Sequence, residues 1–381
     1  MVRKILIVNS FYYPDIRGGA EISTQLLAEG LSEKHEVFVL TTGENRNEII
    51  KEEINNVKVY RIPCKNMYWP NKGVKRNNIS KLIWHLINNY NPIQKKIIRE
   101  IIKEISPSLI HTQNLMGVGT YLWDVADELG IPVVHTTRDY SLINPVSNDL
   151  VNQYIKYCNK KRSQKVNSVV GISKYILNVH NENQFFRKAS NNVIHNIVQA
   201  EKYPKQKKED TKGLILGYYG QLEKNKGIDI LLQTIKEIPH SVVNKVFICG
   251  VGSIEEQLKT LVQNDNRFIF KGKTPLKEVY RTMAISDLTI VPSVWEEPFG
   301  RVIIESYQQG TPVIASSVGG IPEVISQSDF LFNNTEEIKD KINKFYSSSN
   351  EEVQQIIEKC YIHAEKYKDN LQEYYSVYNQ L

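Results

Sequence analysis

Apolar positions fall into short continuous blocks separated by stripes of helical period, and this alternation runs along almost the whole chain. Lys4 to Val8 is an aliphatic run of strand length, and a polar loop then reaches Gly19. Residues 20–34 carry apolar side chains at helical spacing, and a second strand-like run covers residues 36–41. Strand, helix, strand in that order predicts a βαβ unit with a right-handed crossover and a parallel sheet. Ile79, Leu82, Ile83, Leu86, Ile87 and Tyr90 are spaced as one face of a helix, which Asn91-Pro92 ends. Ile93, Ile97, Ile98, Ile101, Ile102 and Ile105 make a second stripe. The pattern resumes with strands at 109–112, 133–136 and 168–172, a helix at 121–129, and Val193-Ile194 closing the series.

A second alternating series starts at Leu214, with strands at 214–219, 245–249, 268–270, 288–291 and 313–315. Residues 199–213 between the two are rich in Lys, Gln, Glu and Pro without apolar period, which reads as a linker. Residues 351–381 are helical in pattern and studded with Tyr. The expected architecture is α/β with two parallel-sheet domains, 1–198 and 214–366.

At 381 residues each domain can bury its own core. Hydrophobic and charged contents of 41% and 24% are those of a folded globular protein, which excludes a disordered or fibrous chain. Cys64, Cys158, Cys249 and Cys360 are far apart and give no disulfide framework, so a reducing, cytoplasmic setting is expected. Asn9 and Ser10 cut the first apolar run short of a signal peptide, and no stretch reaches the roughly 18 apolar residues of a membrane span. The net charge of +6 is uneven: residues 1–200 carry +9 and residues 201–381 carry −3. Eleven Lys or Arg against one acid, Glu100, lie between Lys58 and Lys103, with Met67, Tyr68, Trp69 and Trp84 among them. Such a stretch suits an anionic membrane surface, the alternative being a core stripe with a solvated basic face. No nucleic-acid-binding module accompanies it.

The densest chemistry follows the 288–291 strand. Pro292-Ser293-Val294-Trp295-Glu296-Glu297-Pro298-Phe299-Gly300-Arg301 opens a helix near Phe299, Glu305 follows eight residues after Glu297, and Gly310-Thr311-Pro312 and Gly319-Gly320-Ile321-Pro322-Glu323 come next. A helix start offers free N–H groups and partial positive charge to a diphosphate. Glu297, ahead of the helix, can accept hydrogen bonds from sugar hydroxyls, and Glu305, about two turns inside it, can reach a ribose diol. A single acid in a first helical turn is by itself ordinary, but the combined spacing is not. This segment resembles the glutamate-x7-glutamate signature of family 4 glycosyltransferases, retaining enzymes of the GT-B fold, in which two Rossmann-like domains face each other across a cleft.

The resemblance extends to other loops. Gly220-Gln221-Leu222-Glu223-Lys224-Asn225-Lys226-Gly227 is similar to the family's Gly-Arg-Leu-x-x-x-Lys-Gly, whose cations grip the donor diphosphate; here Gln221 stands in the Arg position and Lys226 is kept. Gly18-Gly19 matches the glycines that face the donor phosphates, with Arg17 beside them to supply the charge Gln221 lacks. His135-Thr136-Thr137-Arg138-Asp139 resembles the segment that carries a His beside the reacting carbon, and Arg138 occupies that place. Arginine cannot act as a base but can stabilise a leaving phosphate; His135 is expected to pack under the strand, and Asp139 is a further acceptor-side candidate. Gly250-Val251-Gly252 lacks the remainder of a dinucleotide fingerprint, though Gly250 matches the family's nucleotide pocket.

The resemblance implies transfer of a hexosyl unit from a UDP- or GDP-sugar, bound by the second domain, to an acceptor on the first, with no metal and no resident cofactor. Residues 367–381 would cross back to the first domain. Glu297, Arg138 and Lys226 carry the catalytic expectation; Gly18, Gly19, Gln221, Gly250, Phe299, Gly300, Arg301 and Glu305 carry donor binding. A lipid-linked saccharide at the inner membrane face is the expected acceptor. A nucleotide-sugar 2-epimerase of the same fold and a non-catalytic sugar-nucleotide-binding protein are the rivals.

Overall fold

The computed structural model describes residues 2–45, 47–70, 76–205 and 213–381. The chain divides into two compact units, Met1–Ile197 with Asn370–Leu381, and Val198–Asp369.

The first unit holds strands β1 (Lys4–Val8), β2 (Glu36–Gly43), β3 (Ile50–Ile54), β4 (Val57–Pro63), β5 (Leu109–Thr112), β6 (Val133–Thr137), β7 (Ser168–Gly171) and β8 (Ser190–Val193). Its helices are α1 (Gly19–Ser32), α2 (Asn78–Asn89), α3 (Pro92–Ile105), α4 (Leu122–Glu128), α5 (Asp149–Ser163) and α6 (Lys174–Glu182). The sheet runs β3-β4-β2-β1-β5-β6-β7-β8, parallel except for the β3–β4 hairpin. Successive side chains of β1 point to opposite faces. Leu6 and Val8 join Ile98, Ile102 and Trp123, while Ile5 and Ile7 join Leu27 and Leu31, so both faces are covered.

The second unit contains β9 (Leu214–Tyr219), α7 (Ile228–Lys236), β10 (Val243–Cys249), α8 (Glu255–Leu261), β11 (Phe268–Gly272), α9 (Leu276–Ile285), β12 (Leu288–Val291), α10 (Arg301–Gln308), β13 (Val313–Ser316), α11 (Ile321–Val324), β14 (Leu331–Phe332), α12 (Thr335–Tyr346) and α13 (Asn350–Glu365). Its sheet is wholly parallel, ordered β11-β10-β9-β12-β13-β14. The chain then returns to the first unit as α14 (Leu371–Asn379). There Tyr374, Val377 and Tyr378 are buried, the Tyr378 hydroxyl lies 2.7 Å from His111 Nδ1, and the Tyr378 carbonyl accepts from Arg3 at 2.5 Å.

Three expectations change. Residues 199–205 are fixed to the second unit: the amides of Ala200 and Tyr203 donate to Gln308 and Gln309, and Lys205 Nζ donates to the Ser286 carbonyl. Residues 206–212 of that stretch lie outside the described residues. The β3–β4 hairpin was not expected. Its signal is Asn55-Asn56 between two alternating runs, and both residues have positive φ, 49° and 64°, as a tight hairpin turn requires. The third change concerns the helical stripes: α3 buries Ile98, Ile101, Ile102 and Ile105, whereas α2 turns Ile79, Ile83 and Leu86 to solvent, with Tyr90 just beyond it, and buries Trp84 instead.

Candidate functional site

In the second unit, β9 leads to β10 and β11 on one side while β12, β13 and β14 lie on the other. The loops leaving β9 and β12 therefore diverge at the carboxyl edge of the sheet. This is the switch point where open α/β sheets leave a crevice for ligands. The first loop carries Gly220 to Gly227, the second Pro292 to Gly300.

The two loops are locked together by backbone. The amides of Val294 and Trp295 both donate to the Asn225 carbonyl, at 3.1 and 3.0 Å. Gly227 has φ of 66°, and a Cβ there would sit 1.9 Å from the Pro292 carbonyl oxygen, so only glycine permits the approach. The Gly319-Gly320 segment clasps the other side: Gly320 N–H donates to the Glu297 carbonyl at 2.7 Å, and a Cβ on Gly319 would lie 2.4 Å from that oxygen.

This frame brings Lys226 Nζ to 2.5 Å from Glu297 Oε1, with Ser293 Oγ donating to the same oxygen at 2.7 Å. Lys226 also stands 4.7 Å above the Trp295 ring. Both ionic side chains are four-fifths or more buried, so water screens the pair less than a surface bridge. α10 starts at Arg301 with Gly300 as its left-handed cap at φ 95°, two residues later than the sequence suggests. Arg301 and Val302 are first and second in the helix, positions whose N–H groups have no intrahelical acceptor. Gln221, Lys226, Glu297, Gly300, Arg301 and Val302 line one hollow of about 860 Å³, its solvent-open mouth included. Cations, helix N–H groups and a hydrogen-bonded carboxylate thus converge where an anionic, hydroxyl-bearing ligand fits.

Three expected donor-site residues sit behind that surface. Glu305 is the fifth residue of α10, 8% exposed, and accepts from Arg301 Nε at 2.8 Å, so it braces the arginine. Phe299 is buried with its ring 5.9 Å from that of Tyr367, because an apolar ring ahead of the helix packs inward. Gly250 backs the first loop: a Cβ there would lie 1.8 Å from the Gly220 carbonyl.

In the first unit His135, Arg138 and Asp139 line a second cavity, of about 730 Å³ with its mouth, at the carboxyl ends of β5 and β6. Arg138 Nε donates to Gln113 Oε1 at 2.7 Å, and its guanidinium also meets Asn196. Asp139 accepts from Asn114 Nδ2 and from the Ser141 amide, both at 2.8 Å. His135 lies under the strand, 2.9 Å from Thr112 Oγ1 and stacked on Phe186. Burial first, then His180 and His111, holds it well below the usual histidine range, so it is neutral. The cavity wall is otherwise rich in amides, including Asn88, Gln113, Asn114 and Asn159.

Arg17, Gly18 and Gly19 form a separate corner of this unit. The Glu21 carboxylate takes the amides of Gly18, at 2.8 Å, and Arg17, at 3.3 Å, and the Arg17 guanidinium lies 3.9 Å over the Phe11 ring. Gly18 has extended backbone with φ of −169°, and a Cβ there would come only to 4.0 Å from Glu21 Oε2, an ordinary contact. Among the described residues no group of three or more His, Cys, Asp or Glu is placed to hold a metal ion.

Residues 17–202 match the pattern of Glycosyltransferase Family 4, and residues 199–362 that of Glycosyl transferases group 1. An uncharacterised 42.6 kDa protein in the cps region of Klebsiella pneumoniae is 34% identical over 334 residues, covering 84% of this chain and 87% of that one. The chain belongs to glycosyltransferase family 4. Its fold is GT-B. Sucrose-phosphate synthase from Thermosynechococcus elongatus superposes with a TM-score of 0.77 at 16% identity, over 99% of this chain and 98% of that one. The Anabaena protein HepE, in its complex with UDP-glucose, superposes with a TM-score of 0.70 at 18% identity, over the whole of both chains.

Within this family 4 glycosyltransferase, sequence reasoning named Lys226, Glu297 and Arg301 but not the groups that set them. Ser293 and Trp295 lie inside the run from Pro292 to Arg301, yet only the loop geometry turns them toward Glu297 and Lys226. Gln113, Asn114 and Asn196 had no motif to mark them. Polar residues at the carboxyl ends of β5 and β8 were the available signal, since parallel strands deliver such positions to the ligand edge.

Proposed function

We propose that this glycosyltransferase moves a hexosyl unit, with retention of configuration, from a nucleoside diphosphate sugar to a lipid-linked saccharide. The observation that carries the reading is the Lys226–Glu297 pair, built from two loops at the switch point of the second unit beside the amino end of α10. The UDP-glucose in the Anabaena HepE structure supports a uridine donor. Lys226 and the N–H groups of Arg301 and Val302 meet the diphosphate, Glu297 accepts from sugar hydroxyls, and Arg301, braced by Glu305, serves the ribose end. The acceptor hydroxyl forms its bond to the anomeric carbon on the face that the diphosphate leaves, and its proton passes to the departing phosphate oxygen. In the first unit, the amide-rich cavity that holds Arg138 suits a saccharide acceptor. The reaction needs no metal, so chelation with EDTA leaves its rate unchanged.

Among the described residues no helix is long and apolar enough to cross a membrane. We place the enzyme in the cytoplasm, working at the inner membrane face.

The test is a thermal-shift screen against UDP-, GDP- and ADP-sugars, followed by incubation with the stabilising donor and no acceptor. Slow release of free hexose is expected. Interconversion of nucleotide sugars would replace the reading with an epimerase, and binding without any turnover would leave a non-catalytic binder.

A further inference from the structure

α2 and α5 pack side by side on the first unit, tied where Arg162 donates to the Asn89 carbonyl at 2.8 Å. Each turns an apolar stripe outward. Ile79, Ile83 and Leu86, with Tyr90 directly after α2, fall at i, i+4, i+7 and i+11, and Ile79 and Tyr90 are 70% and 68% exposed. Leu150, Tyr154 and Tyr157 fall at i, i+4 and i+7 on α5, exposed by 80%, 55% and 62%. A helix in water normally turns such a stripe to the core, and isolated surface apolar residues do not line up on two adjacent helices.

The charge around the stripes is predominantly positive. α2 contains no acid and α5 only Asp149, against Lys81, Lys156, Lys160, Lys161 and Arg162. Arg162 is spent on Asp124. Lys156 and Lys160 reach only the neutral side chains of Asn183 and Gln184, and Lys81 and Lys161 are exposed. Among the described residues, none of these four lysines pairs with a carboxylate. Lys81 belongs to the basic run from Lys58 to Lys103, of which other members are paired: Lys58 with Glu36, Arg61 with Glu52, and Lys95 and Arg99 with Glu128. Lys72 and Lys75 lie outside the described residues.

A groove between the start of α2 and residues 145–148 opens beside the stripes, lined by Ile79, Lys81, Leu82 and Val146. It shares His85 and Pro145 with the amide-rich cavity that holds Arg138 and Asp139.

From the paired stripes, the unpaired lysines and this continuity, we infer that the α2–α5 face docks on an anionic phospholipid bilayer. The apolar side chains enter the headgroup–acyl boundary and the lysines meet lipid phosphates. The groove leads the lipid of the acceptor from the bilayer to the cavity. The last step rests on the proposed transferase reading; the docking itself does not.

The full chain is sedimented with vesicles of phosphatidylglycerol and phosphatidylcholine and with vesicles of phosphatidylcholine alone. Binding is expected to the anionic vesicles only, weakened by salt. Leu150→Glu with Tyr157→Glu, and separately Lys81→Glu with Lys161→Glu, each lower the partition coefficient about tenfold or more. Ile362→Glu, at an exposed apolar position of the second unit, leaves it unchanged. All substituted positions are exposed, and far-UV circular dichroism with melting temperature checks that the variants fold. Failure of the wild-type chain to bind, or wild-type binding by both double variants, overturns the inference. So does a solution dimer that Leu150→Glu with Tyr157→Glu dissociates, since a second copy would then cover the face. UDP-sugar binding measured on the same preparations separates the two proposals. Donor binding without vesicle binding removes the docking alone, and vesicle binding without donor binding removes the transferase reading alone.

Discussion

Gly319→Ala tests whether the backbone clasp on Glu297 sets the chemistry. Gly319 has φ of 59°, where an alanine costs roughly 1–2 kcal/mol. Its new Cβ would also stand 2.4 Å from the Glu297 carbonyl oxygen and 2.7 Å from the Glu297 amide nitrogen. That is about 1 Å short of ordinary contact, and both obstacles are backbone, so overpacking adds about 1–3 kcal/mol and the Glu297 segment has to move. Misplacement of about 1 Å at a reacting centre can cost on the order of 10²-fold in rate. Gly272→Ala supplies the control, because Gly272 has φ of 64° with nothing within 4 Å of the added carbon. It carries the backbone strain without the displacement. Urea unfolding and the rate of UDP release from UDP-glucose are measured on both variants. The control should lose about 1 kcal/mol and keep its rate, whereas Gly319→Ala should lose more stability and about 10²-fold in turnover. A Gly319→Ala enzyme within twofold of wild type would refute the claim that this clasp positions Glu297.

Further outcomes follow from the same contacts. Glu297→Ala should lower turnover on the order of 10²-fold with little change in donor affinity, and Glu305→Ala should weaken donor binding about tenfold; unchanged kinetics in both would refute the assignment. His111, His135 and His180 are buried and held below the usual histidine range, His111 down to about 3, with burial the main cause in each. The unfolded chain takes up their protons as pH falls below about 6.5, so stability is present above that pH and lost on acidification. From pH 7.5 to 5.5 His111 contributes a loss of about 1.4 kcal/mol, His135 and His180 add losses of the same sign, and urea midpoints that do not fall over this range would contradict it. Tyr378→Phe removes the hydroxyl 2.7 Å from His111 Nδ1 and should cost about 1–2 kcal/mol in urea unfolding; no change would show that this contact does not hold α14 in place.

The parallel strands were legible because each is an apolar run bounded by polar loops, and Leu288 to Val291 is found at its expected position. The β3–β4 hairpin was not, because β3 is largely exposed and reads as polar sequence, leaving only Asn55-Asn56 as a cue. The stripe on α2 was visible, but periodicity gives a face and not its direction. Trp84, from outside the stripe, decides which side is buried, through its ring packing and the 2.8 Å bond from Nε1 to the Tyr68 carbonyl. At the site, the resemblance to the family pointed to Lys226, Glu297 and Arg301, through the order of residues in the loops that follow β9 and β12. It could not show Glu305 turned beneath Arg301, or Phe299 turned inward, because those orientations depend on where α10 starts. The start is set by Gly300 at φ 95°.

Transfer by this mechanism requires a sugar nucleotide to lie at the β9–β12 crevice. A crystal of the enzyme soaked with UDP-glucose should show the diphosphate against Lys226 Nζ and the amides of Arg301 and Val302, with glucose hydroxyls on the Glu297 carboxylate. Density for the nucleotide sugar elsewhere on the chain, with that crevice filled by solvent alone, would contradict it.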